Sequence, residues 1–120
     1  MKYGSVEGPY TFASRFEEGA GTNPEELVGA AIAGCFSMFL SALIDKKDLT
    51  ADSVATTASV ELGRDDKGPL IVSIQLETAA KVPGISETDF QQLVKDAKAG
   101  CPISRLYAGT DISVSATLNA

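Results

Sequence analysis

The 120-residue chain has no histidine and no tryptophan, and only two cysteines, Cys35 and Cys101. Without histidine it lacks the side chain most often used as a general base near neutral pH and as a metal ligand. A tetrahedral zinc site wants four Cys or His ligands, commonly in close pairs, so two cysteines standing at positions 35 and 101 cannot make one within a single chain. Basic residues are also scarce: 10 against 16 acidic ones give a formal charge of -6, which repels phosphate backbones and argues against a nucleic-acid partner. The first residues lack a basic stretch followed by an apolar one, the mark of a secretory signal, so a reducing cytoplasm is the expected setting. With 11 glycines and 5 prolines the chain is neither low-complexity nor repetitive. What is left to do chemistry is sulfur, and two thiols in a small cytoplasmic protein point to redox use more than to a permanent staple.

Hydrophobic content of 44% with 22% charged residues suits one soluble domain over residues 1–120. Residues 10–16 hold a short alternating piece with Tyr10 and Phe12 on one face. Thr22-Asn23-Pro24-Glu25-Glu26 then gathers helix-start signals: a capping Asn23 or Thr22, proline for the first turn and acidic residues for the positive end of the dipole. The predicted helix runs to about Asp45, and residues 27–44 carry no charge. That length invites comparison with a membrane span. Its many small residues (Gly29, Ala30, Ala31, Ala33, Gly34, Ser37), acidic start and amphipathic sequel instead predict a central helix covered on every side.

Residues 51–63 alternate, with Val54, Thr56, Ala58, Val60 and Leu62 on one face, and residues 69–81 alternate with Leu70, Val72, Ile74, Leu76, Thr78 and Ala80. Arg64-Asp65-Asp66-Lys67-Gly68 between them predicts an antiparallel hairpin with one apolar side. Pro83-Gly84 breaks the chain, Ser86 caps a second helix whose stripe is Phe90, Leu93, Val94 and Ala97, and Gly100 ends it. A short helix over residues 102–107 and a strand over 110–118 follow. The expected fold is α+β, an antiparallel sheet wrapped on a long buried central helix. A helix of 22 residues is about 33 Å long, and one small sheet covers only one side of it. A two-fold dimer burying two such helices between two sheets resolves the difficulty.

Cys35 stands about eleven residues into its helix, too far from the first turn for the dipole to lower its pKa. A reactive thiolate there needs a cation from elsewhere, and Arg15, just before the helix, is the candidate, with Glu25 or Glu26 to fix the guanidinium. Glu25 and Cys35 are separated by about 15 Å of helix rise, so a site containing Arg15, Glu25 and Cys35 would take the arginine and carboxylate from one chain and the thiol from its partner. The residues alone also allow plainer roles. A cysteine among Ala, Gly and Phe is more often an inert small hydrophobe, Glu25 a dipole residue, Cys101 a loop residue and Arg15 a surface charge.

The runs Ser14-Arg15-Phe16-Glu17, Gly21-Thr22-Asn23-Pro24-Glu25-Glu26-Leu27 and Ala30-Ala31-Ile32-Ala33-Gly34-Cys35-Phe36-Ser37-Met38 resemble the OsmC/Ohr family of hydroperoxide peroxidases, nearest its OsmC branch. Val82-Pro83-Gly84-Ile85 and Ala97-Lys98-Ala99-Gly100-Cys101-Pro102-Ile103-Ser104 are similar to that family's second half. The resemblance implies that Cys35 is the peroxidatic and Cys101 the resolving thiol, forming a disulfide during turnover. It implies that Arg15 stabilises the thiolate and polarises the peroxide while Glu25 orients it. It further implies an intertwined homodimer, hydroperoxide substrates, no metal or bound cofactor, no membrane, and reduction by a dithiol such as a lipoylated protein. Ile32 stands where OsmC members often carry histidine, which bears on the pocket. A noncatalytic stress or ligand-binding protein with the same fold, or a redox sensor, are the alternatives.

Overall fold

The computed structural model describes residues 21–120; Arg15 and the alternating piece at 10–16 lie outside the described residues. Helix α1 is Pro24–Asp45, followed by strands β1 (Ser53–Asp65) and β2 (Gly68–Lys81), helices α2 (Glu87–Gly100) and α3 (Pro102–Leu106), and strand β3 (Asp111–Asn119). Asn23 is the cap of α1: its side chain accepts from the Glu26 amide at 2.9 Å, while Thr22 Oγ1 donates to Glu26 Oε2 at 3.1 Å. Ser86 caps α2 by accepting from the Asp89 amide at 3.1 Å.

The sheet order is β1-β2-β3, with β1 antiparallel to β2. β3, however, runs parallel to β2. The sheet is therefore mixed, not purely antiparallel, because α2 and α3 carry the chain back across the sheet before β3 begins, and a parallel neighbour needs such a crossover. The hairpin register shifts between Glu61 and Leu62: Glu61 opposes Ser73, but Leu62 opposes Ile71. Val72 is thus an extra residue in β2, and beyond it the alternation inverts. Ile74, Leu76, Thr78 and Ala80 are buried as the alternation predicts, whereas Leu70 and Val72 are exposed and Ile71 takes the inward place.

On α1 the buried residues are Gly29, Ile32, Phe36, Leu40 and Ile44, one stripe at helical spacing, with Glu25 at its start. Phe90, Leu93, Val94 and Ala97 of α2, the stripe expected from the sequence, join the same core. Gly29 lets α1 lie close on β1, since a Cβ there would sit 3.0 Å from Val60 Cγ2. A hydroxyl chain crosses the layers: Ser37 Oγ and Thr56 Oγ1 are 2.7 Å apart, as are Thr56 Oγ1 and Thr78 Oγ1. It satisfies hydroxyls that would otherwise be costly to bury.

The expectation of a helix covered on every side is corrected within one chain. α1 has the length and apolar composition of a membrane span, but only the stripe facing β1, α2 and α3 is sealed. Ala30, Ala31, Gly34, Met38 and Ala42 are exposed, Met38 at 76%. Small residues on that second face leave it flat.

Candidate functional site

Cys35 sits at the border of the two stripes. With Ala30, Ala31, Gly34, Met38, Phe39 and Ala42 it lines an open apolar groove of about 540 Å³. Cys101 is fully buried where α2 passes into α3. Its amide donates to the Ala97 carbonyl at 2.9 Å, closing α2, and its carbonyl accepts from the Arg105 amide at 3.0 Å, opening α3. Pro102 holds the first position of α3 and has no N–H, so the first free amides of that turn belong to Ile103 and Ser104. Both favour a thiolate on Cys101, and the Ile103 amide also favours one on Cys35.

The preceding glycine makes the meeting possible. A Cβ on Gly100 would stand 2.8 Å from the ring of Phe39, which follows Cys35 by one turn of α1. Without that side chain, the end of α2 settles on α1 and brings Cys101 to Cys35. The two thiols are free, and each shifts the titration of the other. Tyr107 adds a tie from the end of α3, its hydroxyl donating to the Val28 carbonyl at 3.4 Å.

The two thiols are shifted in opposite directions. Burial pushes the Cys35 thiol up from its ordinary value, and the hydrogen bond and charge of Cys101 add to this against the Ile103 amide. Burial also disfavours the Cys101 thiolate, but the Cys35 thiol, the Ser104 amide and hydroxyl and the Ile103 amide outweigh it and hold Cys101 below its ordinary value. Among the described residues, the surroundings therefore favour a thiolate on Cys101 more than on Cys35.

Of the four residues singled out from the sequence, the fold joins Cys35 and Cys101. Glu25 is buried at the start of α1 and lines a different groove, about 520 Å³ between α1 and β1, with Asn23, Gly29, Thr56 and Val60. About ten residues of helix rise, roughly 15 Å, keep it from Cys35 of its own chain. Arg15 lies outside the described residues. Ile32 is fully buried on the sheet-facing stripe and lines neither groove. Sequence reasoning passed over Ser104 and the two α3 amides. The signal was present in Cys101-Pro102-Ile103-Ser104, where proline at the first helical position makes Cys101 the cap and Ser104 the third residue of the turn.

Residues 17–116 match the family model described as OsmC-like protein. The chain belongs to the OsmC family. It is 48% identical over 98 residues to Peroxiredoxin OsmC of Escherichia coli strain K12, covering 82% of this chain and 68% of that protein. It is 37% identical over 102 residues to the Organic hydroperoxide resistance protein of Xanthomonas axonopodis pv. citri strain 306, covering 83% of this chain and 68% of the relative. Among solved structures, an OsmC-like protein of unknown function from Vibrio cholerae superposes with a TM-score of 0.72 at 20% identity. That likeness, over 80% of this chain and 64% of the Vibrio chain, shows an OsmC-like fold. The chain thus spans just under two thirds of the Vibrio protein's length and just over two thirds of the two OsmC-family relatives'.

Proposed function

We propose that the chain is a cysteine-dependent peroxidase that reduces organic hydroperoxides, and hydrogen peroxide less well, as a cytoplasmic homodimer needing no metal or bound cofactor. The observation that carries this reading is that Cys35, beside an open apolar groove, lies near enough to Cys101 for each thiol to shift the other. The names of the relatives, a peroxiredoxin and an organic hydroperoxide resistance protein, support the same class of reaction.

The groove would hold the alkyl end of a hydroperoxide. Cys35 thiolate attacks the distal peroxide oxygen; an S–O bond forms, the O–O bond breaks, and the alkoxide leaves to become an alcohol. Cys101 thiolate then attacks the Cys35 sulfenic sulfur, forming the disulfide and releasing hydroxide, which becomes water on protonation. An external dithiol of the lipoyl type gives two electrons back in two exchange steps and is itself left as a disulfide.

Because burial disfavours a thiolate on Cys35, the first step needs a cation near it. Arg15 is that cation in this reading, with Glu25 orienting it, and both come from the partner subunit because α1 holds Glu25 away from its own Cys35. A second copy would also cover the exposed face of α1.

Reduced protein mixed with cumene hydroperoxide is expected to lose two hydrogens by intact mass, as one disulfide, and Cys35→Ser is expected to lose none. Unchanged mass in the wild-type chain, or equal loss in the variant, would sink the proposal.

A further inference from the structure

In one row of the sheet all three strands stand level: Thr56 of β1 opposes Thr78 of β2, and Thr78 opposes Ala116 of β3. Both cysteine-bearing helices hydrogen-bond to that row. From α1, Ser37 Oγ lies 2.7 Å from Thr56 Oγ1, which lies 2.7 Å from Thr78 Oγ1, and Thr78 is buried. From α2, Gln91 Nε2 donates to the Ala116 carbonyl at 3.0 Å and to Glu87 Oε1, also at 3.0 Å. Ser37 follows Cys35 by two residues, and Gln91 stands on the helix that Cys101 closes. Satisfying buried groups accounts for each bond singly. It does not require the bonds of two different helices to end on the same row.

The packing around the row shows what such bonds add. α1 rests on β1 with little to key it, since Gly29 has no side chain and the side chains facing it are Ala58 and Val60. Apolar contact is non-directional and resists separation more than sliding, whereas a hydrogen bond fixes a distance and an angle. A slip of α1 by one residue would carry Cys35 about 1.5 Å along the helix axis and about 100° around it. A disulfide needs Cα atoms about 4.4–6.8 Å apart with converging Cβ vectors, so the pair depends on the level of both helices.

We propose that Thr56 and Gln91 are positioning residues: through the row Thr56, Thr78 and Ala116 they hold α1 and α2 at one level on the sheet, so that Cys35 and Cys101 meet in the geometry of a disulfide. This deepens the peroxidase reading and rests on it for the use of that disulfide in turnover, though the register itself needs no peroxide. Neither residue enters the bond changes.

The experiment equilibrates the protein in mixtures of oxidised and reduced dithiothreitol and measures the fraction holding the Cys35–Cys101 disulfide by alkylation and intact mass. In the exchange that bond forms as the S–S bond of the oxidised probe breaks, and the two thiol hydrogens end on the probe. Thr56→Val keeps the branched shape and loses the hydroxyl; half-oxidation is expected to need about fivefold more oxidised probe, the population change that one net hydrogen bond supports. Gln91→Leu should shift the ratio in the same direction, and Thr56→Ser should leave it at the wild-type value. Gln91 is half-buried, so its variant tests the row even if Thr56→Val fails to fold. A purely structural loss weakens the reduced and oxidised proteins alike and leaves the ratio where it was. An unchanged ratio in Thr56→Val or in Gln91→Leu, or equal shifts for Thr56→Ser and Thr56→Val, would overturn the proposal. No peroxide is present, so the outcome stands apart from whether the chain is a peroxidase.

Discussion

Arg15→Ala and Cys35→Ser proteins, each inactive alone toward cumene hydroperoxide, are expected to recover activity when unfolded together and refolded as mixed dimers. The expectation comes from α1. Glu25 and Cys35 share one unbroken helix, Pro24–Asp45, and its rise sets them about 15 Å apart. A guanidinium oriented by Glu25 is then out of reach of the sulfur in its own chain. In a mixed dimer, one site combines intact Arg15 and Glu25 of the Cys35→Ser chain with intact Cys35 of the Arg15→Ala chain. The other site lacks both. With half the dimers mixed and one site working in each, recovery should be about a quarter of the wild-type rate. No recovery, with mixed dimers verified by native mass, would place the arginine and thiol in the same chain and end the shared-site proposal.

The elements were legible because their signals were local. Asn23-Pro24, Ser86 with Asp89, and the alternation of the strands each specify a boundary or a face within a few residues. The register shift was not legible, because Val72 fits the apolar alternation as well as its neighbours do, and only pairing with β1 shows it to be extra. The parallel placement of β3 escaped for a related reason: nine alternating residues say which face is apolar but not which edge or direction they pair. At the site, the sequence marked both cysteines but gave only a weak reason for them to meet. Gly100 reads as a helix stop, and its role in letting α2 approach Phe39 depends on a contact made across the fold. The thiolate argument likewise fixed on a distant cation because a helix interior gives Cys35 no help. The help that α3 gives Cys101 was hidden in a turn of five residues.

Phe36→Ala should be the most destabilising single truncation in α1, and Met38→Ala, two residues on, a useful opposite. Phe36 is fully buried in the stripe that seals α1 to the sheet and α2. Removing its ring loses transfer free energy and leaves a cavity that Ile32 and Leu40, on the turns above and below, cannot fill, at a cost of about 3–5 kcal/mol. Against typical domain stabilities of about 5–15 kcal/mol, that removes much of the margin. The urea midpoint should fall sharply with little change in slope, measured at fixed protein concentration because assembly contributes to apparent stability. A loss below about 1 kcal/mol would mean that the stripe does not carry the core. Met38 is 76% exposed in the single chain, so by its own burial its truncation should cost almost nothing. If a second copy covers that face, Met38→Ala should instead raise the concentration at which dimers dissociate. Phe36 then reports on the fold within one chain and Met38 on the face between two, and the pair separates the stability of the domain from that of the assembly.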